Sequence, residues 1–363
     1  MNTYVEINLK AIKRNIVAIK ELLATNVKFM AVVKANAYGH GAVAVAREAA
    51  LAGADFLAVA NLKEALELRE AGILAPILIL TESPTSVVDE IIQYDLSQTV
   101  YSFAEAKALS DEAVKRKKQA RVQVKVDTGM GRVGVLPSEA NAFMTKILSL
   151  PNLALEGVFT HFAKAEDPTD SFTADQFEKF QQVIGRLEPT VIKHSANSAA
   201  VLYHPDSHLD MVRVGLMMYG LYPQGNGRGK ISLSPALSFK SQVSYLKKIP
   251  AGTPVSYGAT HVTEQPTTIA TIPVGYADGY SRRLSNCGQV IIGGKRHPVV
   301  GRVTMDLIMV DVGDAKVSVG DEVVLIGEQS GQLISADEIA KLQDTISYEV
   351  VCGIGKRVAR VYR

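Results

Sequence analysis

Cysteine is nearly absent from this chain: Cys287 and Cys352 are the only two in 363 residues. They are far apart and have no metal-type spacing. That excludes a disulfide framework and a thiolate metal site, and it fits thiols held reduced in a cytoplasm. Burial is the default expectation for both. An excess of one charge is missing too. A formal net charge of +2 argues against a nucleic-acid or polyanion partner. No apolar run approaches the length that spans a bilayer. No apolar run behind basic residues opens the chain, so neither an export signal nor a membrane anchor is expected. Low-complexity segments are lacking. What is present is apolar content of 47%, ample for large cores, over a length that suits two domains better than one.

The first two-thirds repeats one architecture. Candidate strands are residues 29–33, 56–60, 77–81, 97–101, 122–126, 156–162, 191–195 and 211–216. Helical patterns follow most of them, as at 41–51, 62–71, 104–115, 138–148 and 173–187. Strands alternating with amphipathic helices imply a parallel sheet. Eight such units predict an α/β fold whose N-terminal part, residues 1–230, is a (β/α)8 TIM-type barrel. After Tyr222 the character changes. Gly225-Asn226-Gly227-Arg228-Gly229-Lys230 reads as an exposed turn or linker. Short β-type runs follow at 237–246, 267–273, 289–292, 297–300, 307–312 and 322–326, separated by Gly and Pro, with one helix at 335–342. Residues 231–363 are therefore expected to form a mainly β domain. Residues 3–9 are strand-like and are expected to pair with it.

In such barrels the chemistry sits at the C-terminal ends of the strands, and here those ends carry unusual polar groups. The first strand closes on Lys34 and opens into Ala35-Asn36-Ala37-Tyr38-Gly39-His40-Gly41. A lysine desolvated there has a lowered pKa, and its neutral amine can form a Schiff base. The plainer reading is a strand-ending lysine that snorkels to solvent. The fifth strand alternates, with Val122, Val124 and Val126 on one face and Gln123, Lys125 and Asp127 on the other. Valines suit the helix side, which leaves Lys125 pointing into the barrel. The sixth strand reaches His161, the seventh carries His194, Asn197 and Ser198, and the eighth carries Arg213 and Gly215. A barrel interior holding Lys34, Lys125, His161, His194 and Arg213 is costly unless paired or functional. Taken singly, each is more often a satisfied structural group. Converging on one rim, they point to a cationic, anion-binding active site.

These motifs carry a resemblance. Val32 through Gly41 resembles the cofactor-lysine signature of bacterial alanine racemases, pyridoxal-phosphate enzymes built of a barrel and a β-domain. Lys125-Val126-Asp127-Thr128-Gly129-Met130-Gly131-Arg132, Arg213-Val214-Gly215, Val255-Ser256-Tyr257-Gly258 and Met305-Asp306 match further family motifs. The resemblance spans essentially the whole chain. It implies a cytoplasmic homodimer with shared active sites that interconverts L- and D-alanine and supplies D-alanine for peptidoglycan.

Carried over residue by residue, the resemblance makes Lys34 the Schiff-base lysine. It sets Tyr38, Ser198, Tyr348 and backbone N–H groups near Gly215 around the cofactor phosphate, with Asn197 and His161 also among the cofactor-binding residues. Arg213 meets the pyridine nitrogen and His194 bonds to Arg213. A guanidinium can only donate, so it favours an unprotonated pyridine and limits delocalisation into the ring. Tyr257 from the partner subunit is the second base, tuned by His161 and Arg132. Arg132 and the Met305 N–H hold the substrate carboxylate, beside Asp306. Tyr276 joins Tyr348 in narrowing the entrance. Lys125, near Arg132, is expected as a carbamylated lysine (N6-carboxylysine), an anion able to orient that arginine. The bland readings are an N-cap for Ser198, a rim-stabilising Arg213 and an ordinary loop tyrosine at 257. Thr304 and Leu307 depart from the family's Cys and Gln, which leaves substrate range less fixed than reaction type.

Three alternatives stand beside this reading. One is a racemase for serine or a broader set of amino acids, whose relatives are usually exported. Another is a non-catalytic pyridoxal-phosphate-binding protein, which would resemble the barrel alone. The third is a decarboxylase of the same two-domain plan, which needs a different lysine context.

Overall fold

The computed structural model describes residues 3–223 and 227–363. The chain divides into two compact units. One comprises Ala11–Ala37 and Ala42–Ser234. The other takes the residues up to Lys10, the short piece Tyr38–Gly41, and Pro235–Arg363.

The first unit is an eight-stranded parallel barrel. After β1 (Tyr4–Ile7), which belongs to the other unit, come β2 (Lys28–Val32), β3 (Phe56–Val59), β4 (Ile77–Ile79) and β5 (Ser97–Val100). Then follow β6 (Ala120–Lys125), β7 (Leu153–Phe159), β8 (Ile192–His194) and β9 (Met211–Val214). Their order is β8-β7-β6-β5-β4-β3-β2-β9. The ring closes through two backbone bonds, Asp210 N–H to Lys193 O at 3.0 Å and Arg213 N–H to Ala196 O at 2.9 Å. Every residue of β3, β4 and β5 is buried, as expected where helices cover one face of a parallel sheet and a packed interior fills the other. The helices start on side-chain caps where the sequence supplies them: Asn61 for Leu62–Glu70 and Ser102 for Phe103–Arg116.

Two sequence expectations shift here. The sixth barrel strand runs over Leu153–Phe159 rather than 156–162, so His161 lies beyond its end. Ser198 is not a cap: Asn197 caps the helix Ser198–Tyr203, its Oδ1 accepting the Ala200 N–H at 3.0 Å. Of the expected linker, Gly225 and Asn226 lie outside the described residues.

The second unit is mainly β. Its largest sheet runs Lys295–Pro298, Gln289–Ile292, Glu322–Gln329, Leu237–Gln242, β1 and Ala359–Tyr362, with Gln332–Ile334 added onto Glu322–Gln329. β1 is antiparallel to Leu237–Gln242 and parallel to Ala359–Tyr362. A three-stranded sheet holds Tyr245–Ile249, Thr267–Ile272 and Ile308–Asp311. The expected single strand 237–246 is two strands, because the chain changes partners at its middle. Val243 N–H bonds Asp321 O, whereas Ser244 N–H bonds Thr271 O. Two helices occur rather than one, Ala336–Gln343 and Ser347–Cys352. Both cysteines are exposed, contrary to expectation. Cys287 follows a 3-10 turn and bonds Arg283 O, and Cys352 ends the short helix. Among the described residues no helix is long and apolar enough to cross a membrane, and no group of three His, Cys, Asp or Glu side chains could hold a metal ion.

Candidate active site

Lys34 sits two residues past β2, at the start of an unusual turn. Ala35, Asn36, Ala37 and Tyr38 all have φ between +52° and +54°. Each costs roughly 1–2 kcal/mol in this left-handed region, so the conformation persists only because its surroundings hold it. Asn36 Oδ1 accepts the Ala42 N–H at 2.8 Å, and Ala37 N–H returns to Val33 O at 2.8 Å. Glu64 clamps the turn from the side. One carboxylate oxygen takes the Ala35 N–H and the other the Ala60 N–H, both at 2.8 Å.

Around the barrel mouth the polar groups converge. Lys125 is 3% exposed and its Nζ lies 5.9 Å from the Phe159 ring centre. Burial first, then Arg132, Arg213 and Lys34, pull its pKa down to about 8, with Asp127 opposing. Arg213, 4% exposed, donates through Nη2 to Thr160 O and Ser195 O at 2.7 and 2.9 Å, and through Nη1 to His194 Nδ1 at 2.9 Å. Its Nη2 is also 3.3 Å from His161 Nδ1. Burial lowers Arg213 to about 9, which leaves it charged at neutral pH. The same burial and the Arg213 charge hold both His161 and His194 well below the usual imidazole range, so both are neutral. Asp127 is the nearby carboxylate. Burial works against its charge, but the N–H groups of Gly129 and Gly131 at 3.0 and 3.1 Å help hold it below the ordinary range. It thereby shapes the loop that presents Arg132, whose side chain is exposed. The loop also needs Gly134: at φ +130°, a Cβ there would sit 2.8 Å from Asp127 N.

Ser198 and Gly215 meet on the next stretch of rim. Ser198 Oγ accepts the Gly215 N–H at 3.2 Å. Asn197 lies beside them as the helix cap, its Oδ1 occupied by the backbone. Lys34, Lys125, Arg132, His161, His194, Asn197, Ser198, Arg213 and Gly215 therefore all belong to the barrel unit.

The remaining predicted residues belong to the β-rich unit. Tyr38 and Tyr348 face each other, with ring centres 6.0 Å apart. Burial, then Tyr348 and Cys352, raise the Tyr38 pKa, so its phenol keeps its proton. Gly39, next along, accepts at its carbonyl from Arg360 Nε at 3.1 Å. It has no room for a side chain, since a Cβ would lie 2.3 Å from Val351 O. Tyr257 is 73% exposed on a strained loop. Ser256 has φ 63° and ψ −174°, Ala259 has φ 48°, and Ser256 Oγ anchors the bend on Arg302 O at 2.7 Å.

Tyr276, Met305 and Asp306 form one construction. Tyr276 N–H bonds Thr304 O at 3.0 Å and Ala277 N–H bonds Met305 O at 3.1 Å. Arg357 holds both Asp278 oxygens, at 2.7 and 3.0 Å, and Asp306 at 2.7 Å. Thr304 closes the turn itself. Its Oγ1 donates to Leu307 O at 2.8 Å and accepts the Leu307 N–H at 3.1 Å. Sequence reading missed Asp278 and Arg357, whose only signal is an acid and a base 79 positions apart. Gly275 lets the two loops touch, because a Cβ there would fall 2.3 Å from Met305 O and 2.4 Å from Thr304 O. Gly275→Ala is therefore expected to push the Met305 loop away and destabilise by about 1–3 kcal/mol. A thermal melt measures the loss, and unchanged melting would show that the loop adapts freely.

Comparison with known proteins gives the same answer along the whole chain. The family model described as "Alanine racemase, N-terminal domain" matches residues 7–223, and "Alanine racemase, C-terminal domain" matches residues 236–362. The chain is 49% identical to an alanine racemase of Halothermothrix orenii, covering 99% of this chain and 97% of that one. It superimposes on the alanine racemase of Clostridium difficile with a TM-score of 0.95 at 39% identity, covering 100% of this chain and 96% of that one. It also matches the alanine racemase of Bartonella henselae, solved with covalently bound pyridoxal phosphate, with a TM-score of 0.90 at 31% identity and full coverage of both chains. With both halves matched and relatives this similar over their full length, the chain belongs to the alanine racemase family.

Proposed function

We propose that the protein interconverts L-alanine and D-alanine with pyridoxal phosphate, as a cytoplasmic homodimer that supplies D-alanine for peptidoglycan. The observation that carries this reading is the barrel mouth. Arg132, Arg213, Lys34 and Lys125 gather there, and the carboxylate among them, Asp127, is engaged by backbone N–H groups. Such a site suits an anionic cofactor and an anionic substrate. The donors fit the group chemically: hydroxyls and a backbone N–H for a phosphate, a guanidinium for a ring nitrogen, an amine for an aldehyde.

When bound, the cofactor supplies an electron sink for the bond broken at the substrate Cα. The chain does the rest. Ser198, the Gly215 N–H, Tyr38 and Tyr348 would hold the phosphate, with Asn197 and His161 also among the residues that hold the cofactor. Lys34 Nζ holds the cofactor and then takes or returns the α-proton of the D-enantiomer. Tyr257 of the partner subunit moves the α-proton of the L-enantiomer through its phenol oxygen. Its 73% exposure suits a residue that serves another subunit. A free tyrosine is a weak base at neutral pH, and Arg132 and His161 are the residues that would assist it. Arg132 and the Met305 N–H orient the substrate carboxylate, with Asp306 behind them. Tyr276 and Tyr348 narrow the approach, which favours a methyl side chain. Arg213 would meet the ring nitrogen as a donor only, which would favour an unprotonated ring, with His194 bonded to the guanidinium. Proton NMR of a panel of L-amino acids in D2O, with chiral analysis, tests the whole reading. Selective loss of the alanine α-proton with appearance of D-alanine is the expected result. Equal exchange of serine would broaden the substrate range. No exchange at all, with cofactor bound, would leave a binding protein.

Lys125 carries a second expectation. Its amine, with a pKa of about 8, is partly neutral at physiological pH and so nucleophilic toward dissolved carbon dioxide. Attack forms an N–C bond, releases a proton and leaves a carbamate anion facing Arg132. Because the native pKa lies below the ordinary 10.5, stability rises between about pH 8 and pH 10.5, as the buried charge is relieved. Carbamate formation should likewise rise with pH through about 8. Native mass spectrometry should show a gain of one carbon dioxide, lost in acid. An unmodified amine with Arg132 still in place would sink the assignment.

A further inference from the structure

A file of four hydrogen-bonded side chains crosses the barrel interior. Gln123 Nε2 donates to Glu156 Oε2 at 2.7 Å. Gln123 Oε1 lies 2.8 Å from His194 Nε2, and His194 Nδ1 lies 2.9 Å from Arg213 Nη1. Gln123 and His194 are fully buried. Sequence alternation places Gln123 on the Lys125 face of β6, but nothing in the sequence pairs it with a residue 33 positions away.

Each link has only one workable polarity. A carboxylate is acceptor-only, so the Gln123 amide must turn its NH2 toward Glu156 and its oxygen toward His194. Facing an amide oxygen, His194 Nε2 must carry the proton. Its Nδ1 then keeps a lone pair, which is what a guanidinium needs, since Arg213 can only donate. The opposite tautomer would aim an N–H at the Arg213 donor and a lone pair at the Gln123 oxygen. An imidazolium would likewise aim an N–H at Arg213. Burial and the Arg213 charge keep the ring neutral.

The backbone is shaped to make this file. Opposite β6, Val122 pairs with Leu155 and Gln123 pairs with Gly157, so Glu156 is the extra residue of a β-bulge. A bulge re-aims a side chain. Gly157 leaves space for the amide, because a Cβ there would come within 3.2 Å of Gln123 Cδ and 2.9 Å of Ile192 O. Arg121 Nε lies 3.5 Å from the other Glu156 oxygen, Oε1.

We infer that Glu156 and Gln123 are positioning residues that fix His194 as its Nε2–H tautomer and thereby hold Arg213 in one orientation at the barrel mouth. The reach of this device to a bound cofactor rests on the role proposed above for Arg213. The tautomer itself does not.

Nitrogen-15 NMR of the imidazole side chains in the labelled holoenzyme tests it, with His194 identified by its loss in His194→Asn. The wild type should show a single neutral Nε2–H pattern. Glu156→Gln removes the anion that orients the amide while keeping shape, so a second Nδ1–H population should emerge and the bound-cofactor absorbance should shift. Gln123→Met should act in the same direction. If Gln123→Met fails to fold, the isosteric Glu156→Gln decides alone. A pure Nε2–H pattern persisting in Glu156→Gln overturns the inference, as does an Nδ1–H or charged ring in the wild type. A changed tautomer with unchanged absorbance overturns the reach to the cofactor. Absence of amino-acid exchange by the wild type bears instead on the proposed function.

Discussion

Lys34→Ala should strip the protein of its covalent hold on pyridoxal phosphate and lower racemisation by at least about a thousandfold, since in the roles proposed above one change removes both the anchor and a base. The loss should be chemical rather than structural. The left-handed turn that follows is held by Asn36, Glu64 and backbone bonds, none of which uses the Lys34 side chain. The melting temperature should therefore stay near that of the wild type while the visible band of the linked cofactor vanishes. Borohydride reduction followed by peptide mass mapping gives the sharper reading. In the wild type the cofactor should be found on the peptide holding Lys34. A retained band, or cofactor trapped on Lys125 of the unsubstituted protein, would refute the assignment.

Tyr257→Phe should split the reaction by enantiomer. Exchange of the L-alanine α-proton with D2O should fall on the order of 10²–10⁴-fold, while D-alanine, whose proton is the one proposed to go to Lys34, should still exchange. Phenylalanine keeps the ring, so the strained bend at Ser256 need not change. Equal loss for both enantiomers would end the two-base account. A mixing experiment separates shared sites from self-contained ones. Inactive Lys34→Ala and inactive Tyr257→Phe subunits, combined, should regain part of the activity, because one site of each hybrid then holds both bases. Confirmed subunit exchange without recovery would show that each chain uses its own tyrosine.

The barrel could be read from the sequence because its signal is local. Apolar strands and amphipathic helices alternate at short range, and the eight strands all appeared with shifted ends. The cations of the rim were legible for the same reason: a charged residue at the end of an apolar run is conspicuous. Pairings across long separations left no such trace. Nothing in Ala35-Asn36-Ala37-Tyr38 announces four left-handed residues. The holding groups are Glu64, on another helix, and Asn36, whose partner is the start of the next one. The change of sheets at Val243–Ser244 depends on Asp321 and Thr271, and a continuous apolar pattern hides it. The bulge at Glu156 is set by the register against β6, and it lies inside a strand that begins three positions before its expected start. Arg357 reads as one more surface charge until Asp278 and Asp306 are placed on either side of it.

β1 has a consequence for how the molecule comes off the ribosome. Its residues are made before the rest of their sheet, since one neighbour begins at Leu237 and the other at Ala359, which stands opposite Tyr4 from 355 positions downstream. At translation speeds of about 5–20 residues per second, an edge of Tyr-Val-Glu-Ile waits roughly twenty seconds to more than a minute for its last partner. The segment Tyr38–Gly41 waits with it, since Val351 and Arg360 pack against Gly39. Vectorial synthesis thus delays the segment that follows Lys34 until residues 351–360 have been made. A nascent chain stalled short of residue 350 would have its barrel strands on hand and the segment Tyr38–Gly41 unset.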